Sequence, residues 1–502
     1  MMKSRGMNPA VWLGVFAASL SGCAAVESFT SPDPVGNGVR GKVWTTQAYL
    51  EPNPNNVAYD PVTNATFQRY SVAASGTQAY LAASIYDSAS AKFQGYQRLF
   101  QSESGWSSSG PGFSIIANGA ASLSYAAISP GPGGSWLSVF QASQAAGAGA
   151  TQTTYTVANN GVWQPASVNA GSPGNGGPIF ATTSDQSYGS PVSITFDSLG
   201  RAYIATAVSS PDNFVLKRWS QAGGIDLKEN GVTATGPLIE ARFDGVQWVC
   251  TFAQSMATFA IVQQCFDSTN VDAWGTTGPT VQTPILSPGR LGFSTATAGD
   301  GVIVLADYEL VSAVPQVVVR AVSAGVLQSG STTVSAGMPG TYAVAATATA
   351  APQIVHLGSG SFLVAWTGAD AGSNTAMFYA LYVPNVGWTT PAMIGSAQAS
   401  PSYIGPIHLF TNEDGNAGIA ASFYSTATST LMMTARYQNI QGWLPMQTFG
   451  NGCATDTPTL TPNSAFCTQR PQGAITSNGD TIVVFPDQDP SGHFRLGGVE
   501  FK

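Results

Sequence analysis

Short apolar runs separated by polar, turn-forming residues recur along most of this chain, and the same arrangement returns every 45 to 66 residues. A glycine stands just before an apolar run at Gly76, Gly134, Gly200, Gly245, Gly301, Gly360, Gly415 and Gly479. Runs such as Val302-Ile303-Val304-Leu305 and Phe362-Leu363-Val364-Ala365-Trp366 are rich in β-branched and aromatic residues and too short for helices, so they read as buried strands. A glycine at their start fits a tight hairpin turn, which needs positive φ at low steric cost. Another apolar run precedes each glycine, as in Pro352-Gln353-Ile354-Val355-His356-Leu357, and a third follows, as in Met377-Phe378-Tyr379-Ala380-Leu381-Tyr382. A fourth opens with tryptophan at Trp106, Trp163, Trp388 and Trp443, more loosely at Trp274, and with Ile225 and Val326 in two repeats.

Four strands per unit at this period predict an all-β fold, a single β-propeller of eight four-stranded blades. No sheet buries both faces alone, so neighbours stack radially and the ring must close. Seven blades is the alternative, because the second and fourth repeats are irregular in length. Tandem β-sandwiches also contain many short strands, but one period through the whole body disfavours them. The eighth repeat stops after its third strand, at residues 493–501. Its missing fourth strand is expected at the other end of the chain, where Val43-Trp44-Thr45-Thr46-Gln47-Ala48 matches Gly387-Trp388-Thr389-Thr390-Pro391-Ala392. Residues 43–50 should therefore pair with residues 496–501.

At the amino terminus, Leu20-Ser21-Gly22-Cys23 closes a short apolar segment behind Lys3 and Arg5. The segment is too short to span a bilayer and fits the apolar region of a signal peptide. It resembles the lipobox of bacterial lipoproteins, in which cleavage before the cysteine leaves Cys23 acylated on its thiol and its amine. The resemblance divides the chain into a signal peptide, 1–22, a lipidated tether, 23–40, and a propeller, 41–502. The tether (Pro-, Gly- and Ser-rich) is flexible in character. Ala24 stands where an aspartate would resemble an inner-membrane retention signal, so the expected location is the outer membrane. The glycine turn, apolar strand and later Gly-Trp also resemble the repeats of β-propeller lipoproteins of Gram-negative bacteria. That likeness implies architecture and a lipid anchor, and no particular activity.

Charge is sparse and acidic: 18 Lys and Arg against 26 Asp and Glu give −8, and loss of Lys3 and Arg5 with the signal peptide brings this to about −10. General nucleic-acid binding, which needs a basic surface, is excluded. Four cysteines remain besides Cys23, and an even count in an exported chain suggests two disulfides. Of the three pairings, the sequence-local one is expected. Cys250 and Cys265 lie equidistant from a turn near residues 255–257, and Cys453 and Cys467 bracket a Pro/Thr/Asn-rich loop. These spacings are not the CxxC pairs of a zinc site.

Candidate chemistry is thin. A propeller sialidase would need three arginines around a carboxylate and a repeat resembling Ser-x-Asp-x-Gly-x-x-Trp. The nearest strings, around Asp197 and Asp414, precede the wrong strand and lack the tryptophan. Arg98, Arg218, Arg320, Arg436 and Arg495 recur in predicted third strands, where their stems should pack between sheets and their heads reach solvent. No Gly-x-Ser-x-Gly elbow, P-loop or His-Glu-x-x-His is present. His356 and His408 fall in predicted innermost strands of neighbouring blades, where they could approach each other at the channel and hold a metal or an anion; they stand at different distances before their turn glycines, Gly360 and Gly415, and structural histidines satisfied by the protein are the default reading. Asp487, Asp489 and Ser491 match the first half of a calcium loop, although Arg495 and Gly498 stand at its later ligand positions; a polar hairpin turn is the alternative. Asp87, Asp212, Asp307, Glu309 and Asp370 are expected in loops between second and third strands, on the usual ligand face. The function these features point to is a non-catalytic binding or scaffold module at the cell envelope. It would be anchored by lipid, with an envelope protein or glycan as partner, and calcium is the one cofactor suggested. The alternative is a glycan-active, sialidase-like hydrolase. A pair of carboxylates at the channel mouth would favour it.

Overall fold

The computed structural model describes residues 42–50, 70–87, 92–107, 113–120, 122–143, 151–159, 162–163, 176–178, 192–208, 213–221, 224–233, 239–254, 260–269, 285–286, 292–345, 351–400, 402–412, 414–424, 429–439, 441–456, 461–462, 467, 469–489 and 494–502. The signal peptide, Cys23 and its tether, Asp212, Trp274 and Ser491 lie outside them.

Eight antiparallel sheets form an eight-bladed β-propeller. Blade three shows the plan: Val192–Phe196, Ala202–Val208, Asn213–Ser220 and Gly224–Thr233 are hydrogen-bonded in chain order. The first strands of the others are Tyr70–Ser75, Ser122–Pro130, Ile239–Phe243, Phe293–Thr297, Gln353–Gly358, Tyr403–Thr411 and Gln472–Ile475. All eight turn glycines have φ between +57° and +90° and sit between a first and a second strand. At Gly245 the requirement is also steric, since a Cβ would lie 2.2 Å from Gly299 in the next blade's turn.

The second strands are nearly continuous apolar runs because both of their faces are covered. In blade five (second strand Val302–Val311), Ile303 and Leu305 pack with Cys250 and Phe252 of blade four. The alternate residues Val304 and Ala306 pack with Phe362, Val364 and Trp366 of blade six. The Gly-Trp dipeptides open fourth strands that are broken in two. Gly387–Trp388 and Ala392–Gln398 both pair with the third strand Thr375–Val383 of blade six, whose register shifts between Thr375 and Met377.

Closure follows the expected pairing of the two chain ends. Ala48 and Tyr49 pair with Gly498 and Gly497, and Trp44 bridges to Phe501. Leu50, 1% exposed, enters the core shared by blades one and eight. Both disulfides form as expected, Cys250–Cys265 across directly paired strands and Cys453–Cys467 ahead of blade eight.

Two expectations are corrected. The recurrent arginines do lie in third strands, but their heads do not reach solvent: Arg98, Arg218, Arg436 and Arg495 are buried. Arg98 Nε donates to the carbonyl of Ser107 at 2.7 Å and its Nη1 to that of Leu50, so this guanidinium clamps the closing strand. Arg436 donates to the carbonyl of Gly479 and the hydroxyl of Thr481 across the boundary between blades seven and eight. Backbone carbonyls at the blade boundaries supply acceptors that water would otherwise supply. Asp307 and Glu309 lie within the second strand of blade five, not in the loop after it, because the strand continues to Val311.

Candidate functional site

A first strand bonds to its second strand along one edge only, so the N–H groups of its channel edge need other partners. Side chains of the preceding blade supply them. Ser193 Oγ accepts from Ala241 N at 2.9 Å and Thr195 Oγ1 from Phe243 N at 3.2 Å. Glu240 Oε2 accepts from Thr295 N at 2.9 Å, and Ser294 Oγ from Ile354 N at 2.8 Å. His408 belongs to the same series: its Nδ1 accepts from Gly473 N at 2.9 Å. Burial, and then the nearby Arg470, push this imidazole well below its ordinary pKa, so it is neutral at pH 7.

The histidines do lie in the first strands of blades six and seven, but they take different partners. His356 packs on Phe362, with ring centroids 5.2 Å apart, while His408 binds blade eight. Two charged groups along the channel were not singled out from the sequence. One is Glu240, whose carboxylate also takes Arg242 Nη2 at 3.3 Å. The other is Arg470, just ahead of the first strand of blade eight, whose Nη1 donates to Gln353 Oε1 of blade six at 3.3 Å. The available signal was a charged residue at alternate positions of a short apolar run, as in Ile239-Glu240-Ala241-Arg242-Phe243.

The carboxylates of Asp307, Glu309, Asp370, Asp487 and Asp489 are engaged with the protein itself. Arg320 Nη1 lies 3.4 Å from Asp307 Oδ1 and pairs with Glu309. Asp307 is fully buried, and burial first, then Glu309, raise its pKa well above the usual carboxylate range against the opposing pull of Arg320. Asp370 sits in the turn after the second strand of blade six, where Asn374 N and Nδ2 donate to it at 2.9 and 2.8 Å and lower its pKa. Asp87 ends the second strand of blade one, where its backbone is in register with Lys92 at the start of the third strand. Asp487 accepts from Gln47 of the closing strand and from Asn451 N at 3.0 Å, and Asp489 lies 3.4 Å from Arg495. Among the described residues, no three His, Cys, Asp or Glu gather where they would hold a metal ion.

On the face of the blade-to-blade connections, the hairpin between the second and third strands of blade five ends in an apolar tip. Leu310, Val311 and Val314 are 43%, 40% and 47% exposed. Beside it is a cleft of about 230 Å³, lined by Val314, Gln316, Ser335, Met338 and Tyr342. Its wall is fixed from below: Ser335 Oγ accepts from Val317 N at 2.9 Å, and Tyr342 packs on Phe378 at 5.2 Å.

No family model matches this chain, and no curated protein does. Solved structures match it at low identity. The polysaccharide lyase Uly1 is 11% identical, with a TM-score of 0.44, over 78% of this chain and 94% of that one. The β-propeller domain of the Trilobed protease from Pyrococcus furiosus is 8% identical, with a TM-score of 0.40, over 74% and 94%. A protein of unknown function from Dyadobacter fermentans is 10% identical, with a TM-score of 0.36, over 92% and 100%. None carries a substrate to this chain.

Proposed function

We propose that this protein is a non-catalytic binding module, held at the outer membrane by lipid on Cys23, that presents the connection face of its ring to an envelope protein or glycan. The observation that carries the reading is the apolar tip of Leu310, Val311 and Val314 beside a preformed cleft. Apolar side chains grouped on one tip and rimmed by polar groups are a mark of interaction surfaces. A ring welded at its blade boundaries presents such a tip at little entropic cost on binding. The test is capture of envelope proteins and arrayed glycans by the full chain in detergent, against a variant with Leu310, Val311 and Val314 all changed to Ser. Loss of a saturable partner in the variant, at unchanged melting temperature, supports the reading. Unchanged capture, or turnover of any glycoside, overturns it.

One observation favours the second reading, a glycan-active hydrolase. Burial and the adjacent Glu309 raise the pKa of Asp307 well above the usual carboxylate range, the direction that a general acid needs. Glycoside turnover that disappears in Asp307→Asn supports that alternative.

A further inference from the structure

We infer that the turn face of the ring, opposite the connection face, rests on a bilayer of zwitterionic phospholipid. The inference deepens the proposed function, rests on its lipid anchor at Cys23, and states which way the anchored ring faces. Turns between first and second strands, and between third and fourth, lie at one end of the blades. In the eight turns between first and second strands, every residue but 413 is described. Four of the turns on this face set an apolar side chain in solvent, one on each of blades three to six. Leu199, Val246, Val326 and Val386 are 71%, 59%, 48% and 70% exposed. Leu199 N and Val246 N donate to Asp197 Oδ1 and Asp244 Oδ1, each at 2.9 Å, which fixes both turns. Val386 N donates to the carbonyl of Val383 at 3.1 Å, and Asn385 and Gly387 on either side have positive φ. Such turn positions ordinarily take Gly, Asn, Asp or Ser, and an apolar side chain there buries nothing on folding. A lone apolar tip is ordinary. The chain end gives this set of them an occupant.

The closing strand enters the ring on this face. Lys42 pairs with Asp480 and donates to the carbonyl of Asn478, both in the turn of blade eight, and Val43 beside it is 65% exposed. Leu50, bonded to Leu496, lies at the other end of that strand. A linker with the length of the chain from Cys23 to Lys42 has a root-mean-square span of about 24 Å. The turn face is thereby kept near the bilayer that holds the acyl chains, and contacts too weak to bind lipid alone become intramolecular. Charge selects the bilayer. Lys42, Arg201 and Lys502 are paired with Asp480, Asp197 and Glu500. Glu103, Asp300 and Asp414 add exposed carboxylates to the same face. Anionic lipid repels such a face, whereas apolar tips seat among zwitterionic headgroups without that cost. The apolar tip of Leu310, Val311 and Val314, at the far end of the blades, then points away from the membrane.

The experiment reconstitutes the full chain into phosphatidylcholine vesicles that contain nitroxide-labelled lipid. A maleimide dye is attached in separate variants, Leu199→Cys and Val386→Cys on the turn face and Val311→Cys on the connection face, each with the native melting temperature. Val246→Cys replaces either turn variant that does not fold. Nitroxide quenching at least threefold stronger at 199 and 386 than at 311 is the expected result. A smaller difference, the reverse order, or no quenching at any position overturns the inference. Replacing a third of the phosphatidylcholine by phosphatidylglycerol, at low salt, should reduce quenching at 199 and 386. Quenching that stays the same or rises overturns the zwitterionic assignment. Flotation of the native chain with the vesicles separates the two readings. A chain that floats without the expected quenching pattern defeats the orientation alone, and one that does not float defeats the lipid anchor as well.

Discussion

Nδ1 of His408 accepts the backbone N–H of Gly473 at 2.9 Å, and a Cβ on Gly473 would lie 2.2 Å from the ring of Phe410. The donor must therefore be a glycine, and the imidazole can accept only through an unprotonated nitrogen. His408 thus joins Arg436 in bonding blade seven to blade eight, and it does so only while its Nδ1 is unprotonated.

That bond makes stability depend on pH in a definable direction. A histidine in the unfolded chain takes up its proton near pH 6.5, whereas burial and Arg470 hold the folded His408 well below this. The unfolded state thus binds more protons below about pH 6.5. The contribution of His408 is complete above that pH and is lost as pH falls through the lower folded value. In thermal melts from pH 7.5 to 5, the native protein should lose more stability than His408→Gln, whose amide oxygen still accepts from Gly473. Equal slopes for the two proteins would count against this role. His408→Leu, which leaves the buried N–H without a partner, should cost about 1–3 kcal/mol at pH 7.5.

The ring was legible in the sequence because its grammar is local. Eight turn glycines, the apolar run after each, and the Trp-Thr-Thr match between residues 44–46 and 388–390 each express one strand or one turn. The arginine heads and the channel charges were not legible, because they depend on contacts between blades. Arg98 is buried by the carbonyl of Leu50, 48 residues away in sequence, and Arg470 lies at the channel through a glutamine 117 residues away. Apolar residues alone end that strand before Asp307 and put it in a loop, whereas the strand runs on through polar Asp307 and Glu309 to Val311.

Asp307 gives a second pH test, of opposite sign. Its folded pKa is raised, chiefly by burial and then by Glu309, so the folded state holds a proton that the unfolded chain has released above about pH 3.9. Stability from this group is complete below that pH and declines as pH rises through the folded value. Asp307→Asn keeps the shape of the neutral acid and should melt higher than the native protein at pH 8, with the gap closing toward pH 4. A lower melting temperature for Asp307→Asn at pH 8 would show instead that Arg320 needs the charge.

The disulfides close loops with sequence separations of 15 and 14 residues. In the chain-entropy model each contributes roughly 3 kcal/mol by restricting the unfolded chain. Cys250→Ser with Cys265→Ser, and Cys453→Ser with Cys467→Ser, should each lower stability toward urea by about that amount. Peptide mapping without reduction should recover only the two sequence-local links. A crossed link, or a paired variant as stable as the native protein, contradicts this account.

Closure carries the last prediction. The strand that completes blade eight is held by backbone pairing at Ala48 and Tyr49 and by the Trp44 ring, 5.7 Å from Phe449 and 5.3 Å from Phe501. The ion pair of Lys42 with Asp480, the clamp of Arg98 on Leu50, and Leu50 itself in the core add to it. Without this strand, the edge at residues 494–501 would present unpaired backbone groups, which template aggregation. Leu50→Ala should cost about 2–5 kcal/mol, the range for truncating a buried leucine. Deleting residues 42–50 should lower the melting temperature further and convert the protein into aggregates detectable by light scattering. The point variant separates packing from pairing, because it keeps Leu50's backbone bond to the carbonyl of Leu496 at 3.0 Å and should remain monodisperse. A deletion variant that stays soluble with native stability would mean that the ring does not depend on this strand to close.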